Sequence, residues 1–151
     1  MRWCIADSDL CRRVYNNDNF WNTKLIMDFP DDYNTFNDSN YTGRLLYNLL
    51  YKLQSFKNKI LAQGISLEYS LRELYDIIDI NLDTYDHKLT ELPTEIEYLA
   101  NLQALNLGYN QLTELPKEIG NLTHLQLLDL SYNQLSKIPS EIGNLTNLSI
   151  F

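Results

Sequence analysis

The second half of the chain repeats its apolar residues at a constant interval. Three proline-containing pairs stand 23 residues apart: Leu92-Pro93, Leu115-Pro116 and Ile138-Pro139. Four further columns keep this interval: Glu95, Glu118 and Glu141; Ile96, Ile119 and Ile142; Leu99, Leu122 and Leu145; Leu102, Leu125 and Leu148. Self-similarity at a fixed period is typical of proteins built from stacked structural units. We therefore predict a repeat architecture for residues 81–151.

Within each unit, the pattern predicts a short strand, a turn and a short helical segment. Leu105 and Leu107 stand two apart, so both point to one side of a strand and the residues between them face the other way. Leu128 and Leu130 repeat this spacing in the next unit. Proline does not extend a regular strand, and the x-E-I-x-x-L-x-x-L sequence that follows spaces its apolar residues as a short helix or 3₁₀ helix requires.

Two segments carry a specific signature. Residues 102–112, LQALNLGYNQL, and residues 125–135, LQLLDLSYNQL, both match L-x-x-L-x-L-x-x-N-x-L. This pattern resembles the leucine-rich repeat. The resemblance implies an α/β fold, a short leucine-rich-repeat solenoid with a curved parallel sheet on its concave side and turns and short helices on its convex side.

The asparagines and the outward-facing residues of these units have different expected roles. Asn110 and Asn133 fall where each strand turns, and an inward amide there can bind backbone groups of its own and the neighbouring unit, so we predict a structural asparagine ladder. The residues that face out of the concave side are the predicted partner-binding set: Ala104, Asn106, Gly108, Tyr109, Leu127, Asp129, Ser131 and Tyr132.

The two tyrosines of this set are one repeat apart and are expected to stack. Tyrosine covers a large area while losing little rotamer freedom, which favours contact with a protein partner. Packing of the turn is the alternative role for Tyr109 and Tyr132. The charges of the outer wall are expected to form a solvated face: Glu95, Lys117, Glu118, Lys137 and Glu141.

Upstream of these units the period becomes less regular. Counting back 23 residues from the signature of the first full unit gives Leu82, Thr84, His87 and Leu89. The segment INLDTYDHKLTELP is therefore predicted to be a degenerate first repeat with His87 in the asparagine position. A first repeat has no neighbour on one side, so its signature can be lost without loss of packing.

An α-helical segment is predicted before the repeats. Apolar residues recur at helical spacing from Arg44 to Ala62, and a second helix is expected through Leu67, Leu71, Leu74 and Ile78. We expect residues 44–80 to cap the repeats and residues 37–43, NDSNYTG, to form a linker loop. A basic polar face on the first helix also suits a membrane surface, but the acidic chain favours packing on the first repeat.

Residues 1–36 form a third predicted segment with a resemblance of its own. The pattern of Leu10-Cys11, Val14, Asp18 and Phe20-Trp21 resembles the closing part of an F-box. The adaptor-binding residues that this resemblance implies are Leu10, Cys11, Val14, Phe20 and Trp21. The resemblance, which covers about residues 8–30, is to the F-box and repeat proteins of giant DNA viruses. It implies binding to the adaptor of a cullin ubiquitin ligase, with the repeats holding a substrate, although the opening helices of an F-box have no counterpart before Leu10. Three functions therefore agree with the sequence: an adaptor-binding receptor, an interaction module without an adaptor, and a protein that carries a decayed F-box.

Composition and charge narrow the range of functions. A net charge of -8 and a pI near 4.6 argue against binding to nucleic acid or an anionic membrane. No apolar run approaches the roughly 18–20 residues that span a bilayer, so the cytosol or nucleus is the expected location. Cys4 and Cys11 lack the spacing of a zinc site, and neither His87 nor His124 has a nucleophile at a suggestive spacing. We predict no enzyme activity, no metal and no cofactor.

The last residues, EIGNLTNLSIF, match the beginning of a further unit and stop within its strand. This leaves four apolar residues with little to cover them: Ile142, Leu145, Leu148 and Phe151. A stacked repeat array needs a polar terminal surface to remain soluble. The expectation is therefore a C-terminal end that frays or self-associates, and a truncated paralogue without separate activity is a further alternative.

Overall fold

The computed structural model describes residues 17–36, 43–83 and 89–149. Contacts divide the chain into two compact units, residues 1–51 and residues 52–151. Among the described residues, no helix combines the length and apolarity that crossing a bilayer demands.

The first unit contains short helices around an aromatic core. Helix α1 spans Asp18–Asp28, and the Asn17 side chain caps it by accepting a hydrogen bond from the Phe20 amide at 3.1 Å. Proline begins α2, Pro30–Tyr33, and a 3₁₀ helix follows over Asn34–Phe36. Helix α1 therefore ends just before Pro30. The core side chains of this unit are Trp21, Leu25, Phe29, Phe36, Leu46, Tyr47, Leu49 and Leu50.

Helix α3 spans Gly43–Ala62 and matches the helix predicted from the apolar spacing. In the second unit it buries Leu53, Phe56 and Ile60. The second predicted helix is wrong in its length, because α4 spans only Leu71–Asp76. Ser70 caps α4 through a capping box with Glu73, so Ile65 and Leu67 lie before the helix although their side chains are buried.

Three parallel strands form a sheet in the order β1, β2, β3. They span Asp79–Asn81, Ala104–Asn106 and Leu127–Asp129. A 3₁₀ helix follows each repeat's proline, over Thr94–Tyr98, Lys117–Asn121 and Ser140–Asn144. The sheet, the 3₁₀ segments and the preceding helices agree with the predicted α/β class.

The first repeat is longer than predicted. Ala104 pairs with Leu127 at an offset of 23, but Asp79 pairs with Ala104 at an offset of 25. The strand positions predicted for Leu82 and Thr84 are therefore wrong, since Ile80 and Leu82 take them. The alternating apolar pair Ile80 and Leu82 fills the core where a threonine would not. The offset is 23 again at Leu89, because Gln111 donates to the Leu89 carbonyl as Gln134 donates to that of Leu112. The first repeat therefore has two more residues between Leu82 and Leu89 than the regular period gives. The predicted asparagine position of His87 falls outside the described residues.

One charge of the outer wall is buried, contrary to the predicted solvated face. Glu95 is 7% exposed, and its carboxylate accepts hydrogen bonds from Lys59 Nζ at 2.8 and 3.0 Å and from Ser55 Oγ at 3.0 Å. Burial disfavours the charged form, but these hydrogen bonds and one from the backbone outweigh it and lower the pKa of Glu95. The glutamate of the first repeat thus joins α3 to the repeats.

Candidate functional site

The outward residues of the three strands form one surface, the strand face. Burial alternates along each strand, with Ile80 and Leu105 inside and their neighbours at least partly open to solvent. The strand face consists of six residues in register: Asp79, Asn81, Ala104, Asn106, Leu127 and Asp129. Leu127 is the large apolar residue of this surface, with 47% of its area exposed.

Two tyrosines, the tyrosine pair, follow β2 and β3. The rings of Tyr109 and Tyr132 stack with their centroids 4.3 Å apart and their planes inclined by 15°, which confirms the predicted stacking. Both residues have a left-handed backbone conformation, with φ values of 52° and 53°. Tyr132 is 69% exposed, so that one face of its ring rests on Tyr109 while much of the side chain meets solvent.

Polar side chains beside the pair bind the backbone two residues further on. Asn106 Oδ1 accepts a hydrogen bond from the Gly108 amide at 2.9 Å, and Asp129 Oδ1 accepts one from the Ser131 amide at 2.8 Å. Asn81 Oδ1 accepts from the amide of residue 83 in the same way at 2.8 Å. These side-chain to backbone bonds fix the ends of the strands.

Gly108 lies beneath a group of oxygens that we call the oxygen notch. A Cβ atom on this glycine would lie 3.1 Å from Asn106 Oδ1, 3.3 Å from Ser131 Oγ and 3.4 Å from Asp129 Oδ2. Three oxygens from two neighbouring repeats therefore converge on one point. Hydrogen bonds from the Ser131 backbone and hydroxyl outweigh burial and lower the pKa of Asp129, so this carboxylate is ionised at neutral pH.

The predicted asparagine ladder lies behind this surface. Asn110 is 2% exposed, and its Nδ2 donates to the carbonyls of Leu82, Leu107 and Gly108 at 2.8–3.1 Å. Its Oδ1 accepts from the Leu89 amide at 3.1 Å. Asn133 makes the equivalent hydrogen bonds one unit later, so both side-chain amides are bound to backbone groups. These hydrogen bonds stabilise the turns that contain Tyr109 and Tyr132.

The predicted adaptor-binding residues are only partly described. Leu10, Cys11 and Val14 lie outside the described residues. Phe20 is exposed on α1, whereas Trp21 is 8% exposed and packs against Tyr47 with ring centroids 5.2 Å apart. Trp21 is therefore part of the core of the first unit.

Sequence reasoning missed a polar cluster in the first unit. Tyr47 Oη donates to Asp28 Oδ2 at 2.8 Å, and Lys24 Nζ donates to the same oxygen at 2.6 Å. Burial and the Asp28 carboxylate raise the pKa of Tyr47 to about 12, and the hydrogen bonds from Lys24 and Tyr47 lower the pKa of Asp28. Asp28 and Tyr47 stand 19 residues apart, so no local pattern signals their contact.

The candidate metal ligands in the described part of the chain are its histidine and its acidic side chains. His124, which stands just before Leu125, is exposed. Across residues 17–36, 43–83 and 89–149, no group of three or more histidine, cysteine or acidic side chains could hold a metal ion.

Stacked units of strand, turn and 3₁₀ helix, joined by asparagine side chains, define a repeat protein with a largely polar strand face beside a stacked tyrosine pair. Residues 60–150 match the model of the leucine-rich repeat region, and the chain belongs to the leucine-rich repeat family. Such regions generally mediate protein–protein interaction, and the match indicates no catalytic family. It does not reach the segment that resembles an F-box, so that resemblance stays a prediction.

A solved structure of a leucine-rich repeat protein from Leptospira interrogans is similar to part of the chain. The sequences are 50% identical over 50% of this chain, and the TM-score is 0.48. The match spans 19% of the Leptospira chain, so this chain corresponds to about a fifth of that protein's length. No curated protein matches the chain.

Proposed function

We propose that the protein is a non-enzymatic interaction module that binds a partner protein through the strand face, which is the concave face of a short leucine-rich-repeat solenoid. The tyrosine pair is the observation that carries this proposal. The predicted partner-binding residues Ala104, Asn106, Gly108, Leu127 and Ser131 surround it on β2, β3 and the turns that follow them.

The conformation of the tyrosines supports contact rather than packing of the turn. The side-chain amides of Asn110 and Asn133 already bind the backbone of the turns, and Tyr132 is mostly exposed. A left-handed position accepts asparagine or glycine with less strain than tyrosine. Strain of this kind concentrates at functional sites, where the surrounding structure holds it in place.

The surface also has the composition of a recognition site. Aromatic residues are enriched at the centres of protein interfaces, and a stacked pair presents a rigid surface that loses little freedom on binding. Leu127 adds apolar area on the neighbouring strand, and Asn106 and Asp129 add polar groups that their own backbone bonds hold in position.

Affinity capture tests the proposal. The immobilised chain is used to isolate a direct partner from an extract of cells that express it, and the isolated partner is titrated against Tyr109→Ala/Tyr132→Ala. We expect at least about a tenfold loss of affinity, since buried interface tyrosines each contribute on the order of 1–2 kcal/mol.

A matched double variant controls for surface change. Glu114→Ala/Lys137→Ala removes two exposed side chains that stand outside the strand face and are 3.9 Å apart. This variant should bind as the wild type does. If the tyrosine variant is folded by circular dichroism and still binds the partner with unchanged affinity, the strand face is not the binding site.

A further inference from the structure

We propose that the strand face recognises an arginine side chain in a basic segment of the partner, with the guanidinium stacked on Tyr132 and hydrogen-bonded to the Asp129 carboxylate. This inference rests on the proposed function and names the chemistry of the partner. Three features of the surface support it: a free aromatic face, a group of convergent acceptors and a one-sided charge.

The aromatic face is provided by Tyr132. Tyr109 covers one side of its ring at 4.3 Å, and the 69% exposure of Tyr132 leaves the other side open. A cation placed over a tyrosine ring is attracted by the negative face of the π system. A planar guanidinium adds stacking to this attraction, which the compact and strongly hydrated ammonium of lysine does not.

The acceptors are provided by the oxygen notch. Asp129 Oδ1 is bound to the Ser131 amide, while Asp129 Oδ2 lies with Ser131 Oγ and Asn106 Oδ1 around Gly108. Because Gly108 has no side chain, the three oxygens stand close together without a carbon between them. A guanidinium carries five N–H donors and no acceptor, so it complements a site made largely of oxygen acceptors.

The charge of the surface is one-sided. The six positions of the strand face include the carboxylates of Asp79 and Asp129 and no lysine or arginine. No ion pair within residues 17–36, 43–83 and 89–149 engages Asp129. An ionised carboxylate that pairs with no cation of the described residues, in a chain of net charge -8, attracts a basic partner.

Three small probes separate the components of this recognition. The ¹⁵N-labelled chain is titrated with N-acetyl-arginine methylamide, with the lysine analogue, and with the citrulline analogue, which has nearly the same shape as arginine but no charge. We expect saturable shifts of the Gly108, Ser131 and Tyr132 amides with the arginine probe. The lysine probe should bind at least about threefold more weakly, because it lacks the planar stacking. The citrulline probe should cause no saturable shift.

Two variants locate the site, and one controls for charge. Asp129→Asn keeps an oxygen for the Ser131 amide but removes the charge, and Tyr132→Asn keeps a residue suited to a left-handed position but removes the ring. Each should weaken the arginine probe at least about fivefold. Glu114→Gln removes the same unit charge from an exposed position outside the strand face and should leave the affinity unchanged.

The outcomes distinguish this inference from the proposed function. Equal affinity for arginine and lysine probes, shifts spread over the whole surface, or an equal effect of Glu114→Gln would overturn it as unspecific attraction to an acidic protein. If the isolated partner needs the tyrosine pair but tolerates Asp129→Asn, the strand face binds protein and the arginine inference is wrong. If the partner tolerates both changes, both proposals are wrong.

Discussion

The residue before each repeat asparagine is a tyrosine, although its left-handed backbone conformation would be adopted with less strain by glycine. Tyr109 and Tyr132 hold φ values near 52°, where a residue other than glycine bears strain on the order of 1 kcal/mol. The asparagine that follows each tyrosine differs, because its side-chain amide forms hydrogen bonds with backbone groups. In each repeat, the asparagine thus holds the turn, and the tyrosine before it is the residue that we propose contacts a partner.

The asparagines differ in burial, and this difference predicts different costs of removal. Asn110→Ala leaves the Leu82 carbonyl and the Leu89 amide without their buried partner, so the free energy of unfolding should fall by about 2–4 kcal/mol. Asn133→Ala removes the same bonds at a half-buried site where water can replace them, and should cost about 1–2 kcal/mol. Urea unfolding measures both. Equal costs, or a larger cost at Asn133, would show that burial does not govern this position.

At the scale of elements, α3 is attached to the first repeat by polar groups as well as by apolar packing. The ion pair between Lys59 and Glu95 combines a half-exposed lysine with a buried carboxylate. Gln63 strengthens the same junction, since its Oε1 accepts from the Thr90 and Glu91 amides and its Nε2 donates to the Glu91 carbonyl. The first repeat thus has a neighbour on its outer side, supplied by a helix.

Glu95 and its repeat equivalent Glu118 make a matched test of this junction. Glu95→Ala should lower the free energy of unfolding by about 1–2 kcal/mol at neutral pH, because it removes hydrogen bonds from Lys59 and Ser55, one of which is partly solvated. Glu118→Ala should change it by less than about 0.5 kcal/mol, since no hydrogen bond of the described residues engages that carboxylate.

The pH dependence of the same variant follows from the lowered pKa of Glu95. A carboxylate with a lowered pKa in the folded state stabilises the protein above its ordinary pKa, and this contribution is lost as the pH falls through the folded value. Urea unfolding from about pH 6 to about pH 3 should therefore show a smaller loss of stability in Glu95→Ala than in the wild type. Parallel curves would mean that Glu95 does not titrate differently on folding.

The repeat elements could be predicted from the sequence because each is specified by nearby residues. Leu105, Leu107 and the asparagine after them define strand and turn within one unit, and the structure follows the period wherever it is regular. The first repeat departed from prediction because it has two more residues than the regular period, so counting back 23 residues misses the register that the pairing of Asp79 with Ala104 reveals. Glu95 departed because its partner Lys59 is 36 residues away.

At the scale of the whole chain, burial declines towards the last repeat. Leu105, Leu107 and Ile119 are fully buried, whereas the residues 23 positions later, Leu128, Leu130 and Ile142, are half-buried. The glycines repeat this contrast. Gly120 lies against the backbone of Glu141 in the next repeat, while a Cβ on Gly143 would have no atom within 4 Å. In the described part of the chain, this edge presents the kind of surface that repeats use for stacking.

We expect a polypeptide of residues 1–151 to self-associate through this edge, because exposed apolar repeat surface favours pairing with a similar surface. In sedimentation velocity, the fraction of dimer should rise with concentration. Gly143→Glu adds a charged side chain in open space, so it should shift the protein to monomer without lowering its stability. Gly120→Ala, the matched change inside the stack, should instead cost about 1–3 kcal/mol by overpacking against Glu141. A wild-type chain that stays monomeric at every concentration, or a dimer that Gly143→Glu leaves intact, would contradict association through this edge.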